Sequence, residues 1–350
     1  MNNEFLKDIS FKELKNALMG QDLNQVPQSW FYIGQVKKYK KGVHRLDILE
    51  HKLMIYKSNH KFIAQSRSCL HMNTDLSKGK LKDGVISCPM HNWKYNTKGE
   101  TKHSCKKLKQ YPIEQIESHL FIFIGEEKNF FPFPKFATEE FKNLQALKNP
   151  LHFDIGINYF LLSGNGFDLN HFESMHGRVP IKKPTPFLRS KNRICINHEF
   201  RNTSNLFLDK VLRTILSPIG YLNFDVVAGN MVLAETKIKN RVSRLLFVLT
   251  PEGENQTSVT LIPFVHIKKH NFWHRFKNSI SLAIRKVFVK QFFIHEIAQA
   301  QEIQFCPENF VPSDRLYMVY FTWFKQYLDG LDQLEETNFE EQNINRNEIN

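Results

Sequence analysis

The chain has 350 residues, a formal net charge of +13 at pH 7 and five cysteines. Its length allows two domains with their own cores, because the buried fraction rises with size, and no run of 18 apolar residues is present to form a helical membrane span. The lysines are scattered, as in KKYKK at 37–41 and KKLK at 106–109, with no nucleic-acid fold signature. They read as a solvated face, with a docking surface for an acidic redox partner as the next reading.

In chain order, MNNEFLKDISFKELKNAL reads as an amphipathic helix carrying acidic residues, which a signal peptide would not. Residues 1–38 form this helical lead, and WFYIGQ at 30–35 begins the first strand. LDILEHKLMIYK at 46–57 and KFIAQS at 61–66 alternate as short strands of a small antiparallel domain. Then comes SCLHMNTDLSKGKLKDGVISCPMHNWKY, residues 68–95. It spaces Cys69-x-His71 and Cys88-x-x-His91 sixteen residues apart.

A structural zinc site with two Cys and two His pairs like with like in separate knuckles. Here each loop supplies one of each, which suits a two-iron cluster with two thiolates on one iron and two neutral imidazoles on the other. Pro89 stiffens the second loop, Trp93 and Tyr95 can wall the cluster from water, and Asn96–Gly99 reads as a hairpin turn. Residues 40–125 thus resemble the Rieske family. Cys105, Cys195 and Cys306 have no evident mates, which fits a reducing, cytoplasmic compartment.

After the cluster block, EEKNFFPFPKF at 126–136 reads as a linker rather than an element. The expected division is a helical lead at 1–38, a [2Fe-2S] domain at 39–130, a linker at 131–150, a catalytic domain at 151–332 and a polar tail at 333–350. In the second half, GNGFDLNHFESMHGR at 164–178 spaces Asn165, Asp168, His171 and His176 as N-x-x-D-x-x-H-x-x-x-x-H. At roughly 100° per residue the two histidines would lie about 140° apart on a straight helix. A π-bulge or a helix end would bring them together, and Gly177 is consistent with an end. Two histidines with a carboxylate leave open positions on non-haem Fe(II) for O₂.

A Rieske block followed by this motif resembles the alpha subunits of Rieske non-haem iron oxygenases. The resemblance implies an α+β chain, a small all-β Rieske domain plus a helix-grip catalytic domain in which an antiparallel sheet wraps long helices. The alternating runs NFDVVAGNMVLAETKI, SRLLFVLT and TSVTLIPFVHI allow the sheet, and residues 277–304 read as one long helix. Core packing is the first explanation of that helix's apolar residues, and a basic membrane-surface helix the second.

By the same resemblance His171 and His176 hold a mononuclear iron. The late helix usually adds an Asp, and the position that looks equivalent here is Glu296, with Glu302 and Asp314 as alternatives. Asp168 would bridge His91 of the partner subunit to His171 in a head-to-tail homotrimer, with Asn165 close by. No GxGxxG motif is present, so electrons would come from a separate ferredoxin or reductase. The implied function is a terminal oxygenase component that hydroxylates, demethylates, desaturates or dihydroxylates an apolar, ring-containing small molecule. An electron-transfer protein, or an oxygenase homologue without an active iron site, is the alternative.

Overall fold

The computed structural model describes residues 9–330 other than 205–209, 211–212, 215–216, 254, 269–270 and 302. The polar tail expected at 333–350 and the alternative ligand Glu302 lie outside the described residues. The chain divides into two compact units. The first comprises Val26–Tyr159 and Leu246–Gln301, and the second comprises Met1–Gln25, Phe160–Leu245 and Glu302–Asn350.

Helix α1 (Phe11–Leu18) opens the second unit with a capping box. Ser10 Oγ accepts from the Glu13 N–H, and the Glu13 carboxylate accepts from the Ser10 N–H, so two amides that a helix start leaves orphaned are satisfied.

The first unit then begins with β1 (Ser29–Gln35), β2 (Val43–Ile48), β3 (His51–Ser58) and β4 (Lys61–Ser66). Three short strands follow, β5 (Lys80–Lys82), β6 (Val85–Ser87) and β7 (Lys94–Tyr95), and then β8 (Gln110–Tyr111), β9 (Ile113–Ile116) and β10 (His119–Ile124). They make three antiparallel sheets, ordered β1-β10-β9, β2-β3-β4-β8 and β5-β6-β7.

The apolar run LMIY in β3 is buried on both faces. Successive side chains of a strand point to opposite sides, so Leu53 and Ile55 join Phe31, Ile33, Leu120 and Ile122 in one core. Met54 and Tyr56 join Cys69, Leu76, Ile86, Cys88 and Tyr95 in another. Strand β3 therefore ties the cysteine-bearing loops to the main core. Truncating one such side chain to Ala costs about 2–5 kcal/mol.

The turn expected at Asn96–Gly99 forms, with the Gly99 N–H donating to Asn96 O at 2.9 Å. It does not close a hairpin, because β7 pairs with β6 before it and no described strand follows until β8. In the segment read as a linker, β11 (Leu144–Ala146) forms, and β12 (Leu151–Ile155) follows it.

The second unit resumes with α2 (Tyr159–Gly164), α3 (Leu169–Ser174), β13 (Arg178–Pro180), β14 (Phe187–Ser190), β15 (Arg193–Asn202), β16 (Ile219–Val227) and β17 (Met231–Ile238). Strands β13 and β14 both pair with β15, and β15, β16 and β17 form an antiparallel meander. The run at 223–238, which alternates as one stretch in the sequence, is split at Ala228–Asn230 by a turn with Ala228 at φ +50°.

Strand β18 (Arg241–Gly253) spans the division, and β19 (Gln256–His266) belongs to the first unit, where it pairs antiparallel with β11 and β12. Helix α4 (Phe272–Ala300) follows, capped by the Asn271 side chain. Its buried residues are Leu282, Phe293, Glu296 and Ala300, while Trp273, Phe276, Ile280, Ile284, Val287 and Ile294 are exposed. Core packing therefore accounts for one of its apolar faces and not the other. In the second unit α5 (Arg315–Leu328) is buried nearly all round, from Leu316 and Met318 to Phe324 and Tyr327.

Candidate metal centres

The two cysteine–histidine loops of the first unit are built alike. The Cys69 N–H donates to Thr74 O and the Cys88 N–H to Trp93 O, at 2.9 and 2.8 Å. In return Asn73 and Asn92, each four residues after its cysteine, donate their N–H to the cysteine carbonyl. Both asparagines take a left-handed conformation, at φ +55° and +58°, that this residue tolerates better than most. The parallel is visible in CLHMNT and CPMHNW, although the ligand spacing does not single out Asn73 and Asn92. Arg67 fixes the first loop, pairing with Asp47 and Asp75 while only 3% exposed.

Each loop holds its sulfur inside and its imidazole outside. Cys69 and Cys88 are 1% and 4% exposed, whereas His71 and His91 are exposed with their Nδ1 atoms 3.2 Å apart. Burial pushes the Cys69 thiol up, but hydrogen bonds from the Tyr95 hydroxyl, the His71 backbone and Cys88 outweigh it and leave the thiol below its ordinary range. The buried Tyr95 hydroxyl lies 3.2 Å from Cys69 Sγ and accepts from the Leu70 N–H. Trp93 stacks on His71 at 4.8 Å and on His103 at 4.9 Å. Two inward sulfurs and two converging imidazole nitrogens fit a Rieske [2Fe-2S] cluster, with one iron thiolate-bound and the other imidazole-bound.

In the second unit the Asp168 side chain caps α3 by accepting from the His171 N–H at 3.0 Å. Helix α3 ends at Ser174, and Gly177 follows His176 at φ +56°. The helix end, rather than a π-bulge, thus turns His176 back, so that the Nε2 atoms of His171 and His176 are 3.0 Å apart. Gly177 needs its lack of a side chain twice over, since a Cβ there would also meet the Ser204 backbone N at 2.6 Å.

Beneath the pair, His198 Nε2 reaches Gly166 O at 2.8 Å and its ring stacks on Phe172. Burial pushes His198 down to about 4, so it is neutral and donates that bond. A Cβ on Gly166 would collide with the Phe224 ring. Sequence reading missed His198, because a lone histidine inside the strand ICINHEF carries no spacing signal.

Asn165 sits one turn before Asp168 in a short 3₁₀ segment, Asn165–Phe167. Glu296 is 3% exposed on the buried side of α4. Asp314, the other described alternative, lies in a 3₁₀ turn and accepts from the Val311 N–H. Without a metal, two Nε2 atoms at 3.0 Å share one N–H···N hydrogen bond; with both rings protonated at Nδ1 they present two acceptor nitrogens that fit a divalent iron.

Residues 29–112 match the family model described as "Rieske [2Fe-2S] domain". The chain is 27% identical over 95 residues to the oxygenase component of 3-ketosteroid-9-alpha-monooxygenase from Rhodococcus rhodochrous, a match over 27% of this chain and 24% of that protein. It therefore spans about a quarter of that relative's length. In fold it is similar to NdmA of Pseudomonas putida CBB5 solved with caffeine, at TM-score 0.62 and 16% identity over 85% of this chain and 90% of that one. It is also similar to dicamba monooxygenase solved with non-heme iron and dicamba, at TM-score 0.59 and 16% identity over 87% and 98%. Residues 29–112 are a Rieske [2Fe-2S] domain, and the chain is similar to oxygenase components in sequence over that domain and to solved Rieske-type oxygenase structures in fold over most of its length.

Proposed function

We propose that the chain is the terminal oxygenase component of a Rieske non-haem iron monooxygenase. It would use O₂ to hydroxylate, demethylate or desaturate an apolar, ring-containing small molecule, with electrons from a separate ferredoxin or reductase. The observation that carries this reading is the second imidazole pair. His171 and His176 converge at 3.0 Å outside the Rieske domain, an arrangement that an electron carrier does not need. The relatives' names point the same way, since a ketosteroid, caffeine and dicamba are all ring-bearing small molecules.

When bound, the cluster would supply electrons singly and the mononuclear iron would supply the activation of O₂. In this reading Cys69 and Cys88 hold the inner iron of the cluster, and His71 and His91 hold the outer one. Tyr95 donates to the Cys69 sulfur, and Trp93 stacks on one face of the His71 ring. His171, His176 and Glu296 hold the mononuclear iron. A carboxylate only 3% exposed is costly unless it faces a positive group, and a divalent cation is such a group.

Asp168 keeps His171 in place through its backbone and, in a head-to-tail homotrimer, would join His91 of the partner subunit to His171, with Asn165 supporting that link. The iron-bearing catalytic part would run from 151 to 332, after a Rieske part at 39–130 and a linker at 131–150. No helix is long and apolar enough to cross a membrane among the described residues. No disulfide joins any of the five cysteines, which suits the cytoplasm.

The test is iron content and EPR on anaerobically purified protein, with substrate-dependent O₂ uptake driven by a generic reductase. The reading expects about three irons per chain, falling to about two in Glu296→Ala with the Rieske signal kept. Two irons in the unmutated chain and no O₂ uptake would make it an electron carrier or an inactive homologue instead.

A further inference from the structure

We infer that the outward face of α4 docks the protein onto an anionic lipid surface. The helix has two apolar faces. Leu282, Phe293 and Ala300 point inward, and near Arg275 and Ser279 it is tied to β11 by the Gln145 amide. On the other side Phe272, Trp273, Phe276, Ile280, Ile284, Val287 and Ile294 are between 48% and 75% exposed. At roughly 100° per residue these seven fall within an arc of about 120°, a stripe about 33 Å long. Two aromatic rings, Phe272 and Trp273, stand at its N-terminal end and are its most exposed members, at 75% and 69%.

What covers such a stripe is decided by the charges beside it. From Asn255 to His295 the chain contains no Asp or Glu, but it contains Lys268, Lys269, Arg275, Lys277, Arg285, Lys286 and Lys290. Arg275 is engaged by Glu117 and Arg285 by Ser281. Lys277 on one flank of the stripe, and Lys286 and Lys290 on the other, take part in no ion pair among the described residues.

A two-fold contact between copies of this helix would oppose cation to cation with no acid to answer them. A transient acidic redox partner would match the lysines but would leave a 33 Å line of Trp, Phe, Ile and Val against a polar surface, by the rise of about 1.5 Å per residue. An interfacial helix in a membrane has this make-up, with bulky apolar groups and Trp on one face and lysines along its borders to meet anionic headgroups. Docking through α4 is peripheral and independent of whether the iron site turns over.

The test uses the full chain with its cluster in place. Flotation with vesicles of phosphatidylcholine containing about one-third phosphatidylglycerol should carry the protein upward. Pure phosphatidylcholine should not, and added salt should weaken the effect. Trp273 emission should shift to the blue on binding, and Trp273→Phe should lose the shift while still floating. Phe276→Glu and Ile284→Glu should each weaken binding about tenfold, with the Rieske EPR signal and the iron content unchanged. Failure to float on anionic vesicles overturns the inference, as does equal binding to neutral ones. It is equally overturned if Phe276→Glu leaves vesicle binding alone but breaks an oligomer in the ultracentrifuge, or lowers turnover with a soluble reductase. In those cases a second copy or a redox protein is the occupant.

Discussion

Tyr95→Phe isolates one hydrogen bond to the cluster. The hydroxyl accepts from the Leu70 N–H at 3.1 Å, so its own proton is left to point at Cys69 Sγ, 3.2 Å away. A hydrogen bond to a charged acceptor contributes about 1.5–3 kcal/mol. Only the part that differs between redox states moves the potential. The reduced cluster carries one more negative charge, gains more from the donor, and loses more when the donor goes. If the difference is about 1–2 kcal/mol, then at 59 mV per tenfold change for a one-electron couple the midpoint falls by about 40–90 mV. The substitution also leaves the Leu70 N–H without its acceptor, which costs about 1–3 kcal/mol of stability. An EPR-monitored redox titration of the purified chain measures the first effect and urea unfolding the second. A midpoint that stays put while the Rieske signal is intact would show that the Tyr95 proton is not directed at the sulfur.

Gly177→Ala should strain a left-handed backbone position and drive a Cβ into the Ser204 backbone. Together these cost about 2 kcal/mol or more and displace His176. Metal analysis should find the mononuclear iron lost and the cluster kept, and full iron content would refute the account. Stability should also fall in acid. Burial holds His119 and His198 down to about 4 in the folded chain, against an ordinary value of 6.5. Above pH 6.5 neither state is charged; as pH drops from there toward 4, the unfolded chain takes protons that the folded chain refuses, at about 2–3 kcal/mol for each histidine. Urea midpoints at pH 7.5 and 4.5 measure this, and replacing either histidine by Gln should flatten part of the slope. An unchanged slope in both variants would contradict it.

The cluster ligands were legible because they are local. Cys69, His71, Cys88 and His91 fall within 23 residues, and the alternation of β2, β3 and β4 around them is plain in the sequence. The left-handed asparagines that make the two loops alike were equally open to view. They are meaningful only once each cysteine's backbone is seen bonding across its own loop. The His171 and His176 spacing left two geometries open. What decides between them is the end of α3 at Ser174, set by the left-handed Gly177 rather than by the histidines.

Long-range relations were the least legible. Glu296 lies 120 residues beyond His176, so no spacing rule reaches it, and a motif that usually carries Asp gives no warrant of its own for Glu. The 3–4 periodicity of α4 announces apolar faces but cannot say which of them finds a partner within the chain. Burial of Leu282 and Phe293 and exposure of Trp273 and Ile284 separate the two. The acid-free stretch around that helix was in the sequence throughout. It acquires meaning only beside the exposed stripe, because a run of cations on a packed helix would be an ordinary solvated border.

The two imidazole pairs differ in which nitrogen they present, and the difference follows from the backbone that carries them. His71 and His91 meet through Nδ1, and His171 and His176 through Nε2. Nδ1 lies close to its own Cβ, so two rings can converge through it only if their backbones are pressed together. The two like turns at Asn73 and Asn92 each bend the chain back onto its own cysteine carbonyl beside the histidine. Nε2 lies at the far end of the ring and can be reached from a helix and from the chain just beyond its end. Presenting Nδ1 leaves Nε2 of His71 and His91 on the far side of exposed rings. Presenting Nε2 to a metal requires the proton of His171 and of His176 to sit on Nδ1, the tautomer such a site needs. One pair of imidazoles thereby stands on exposed, tightly turned loops, and the other on a short helix and the chain just beyond its end.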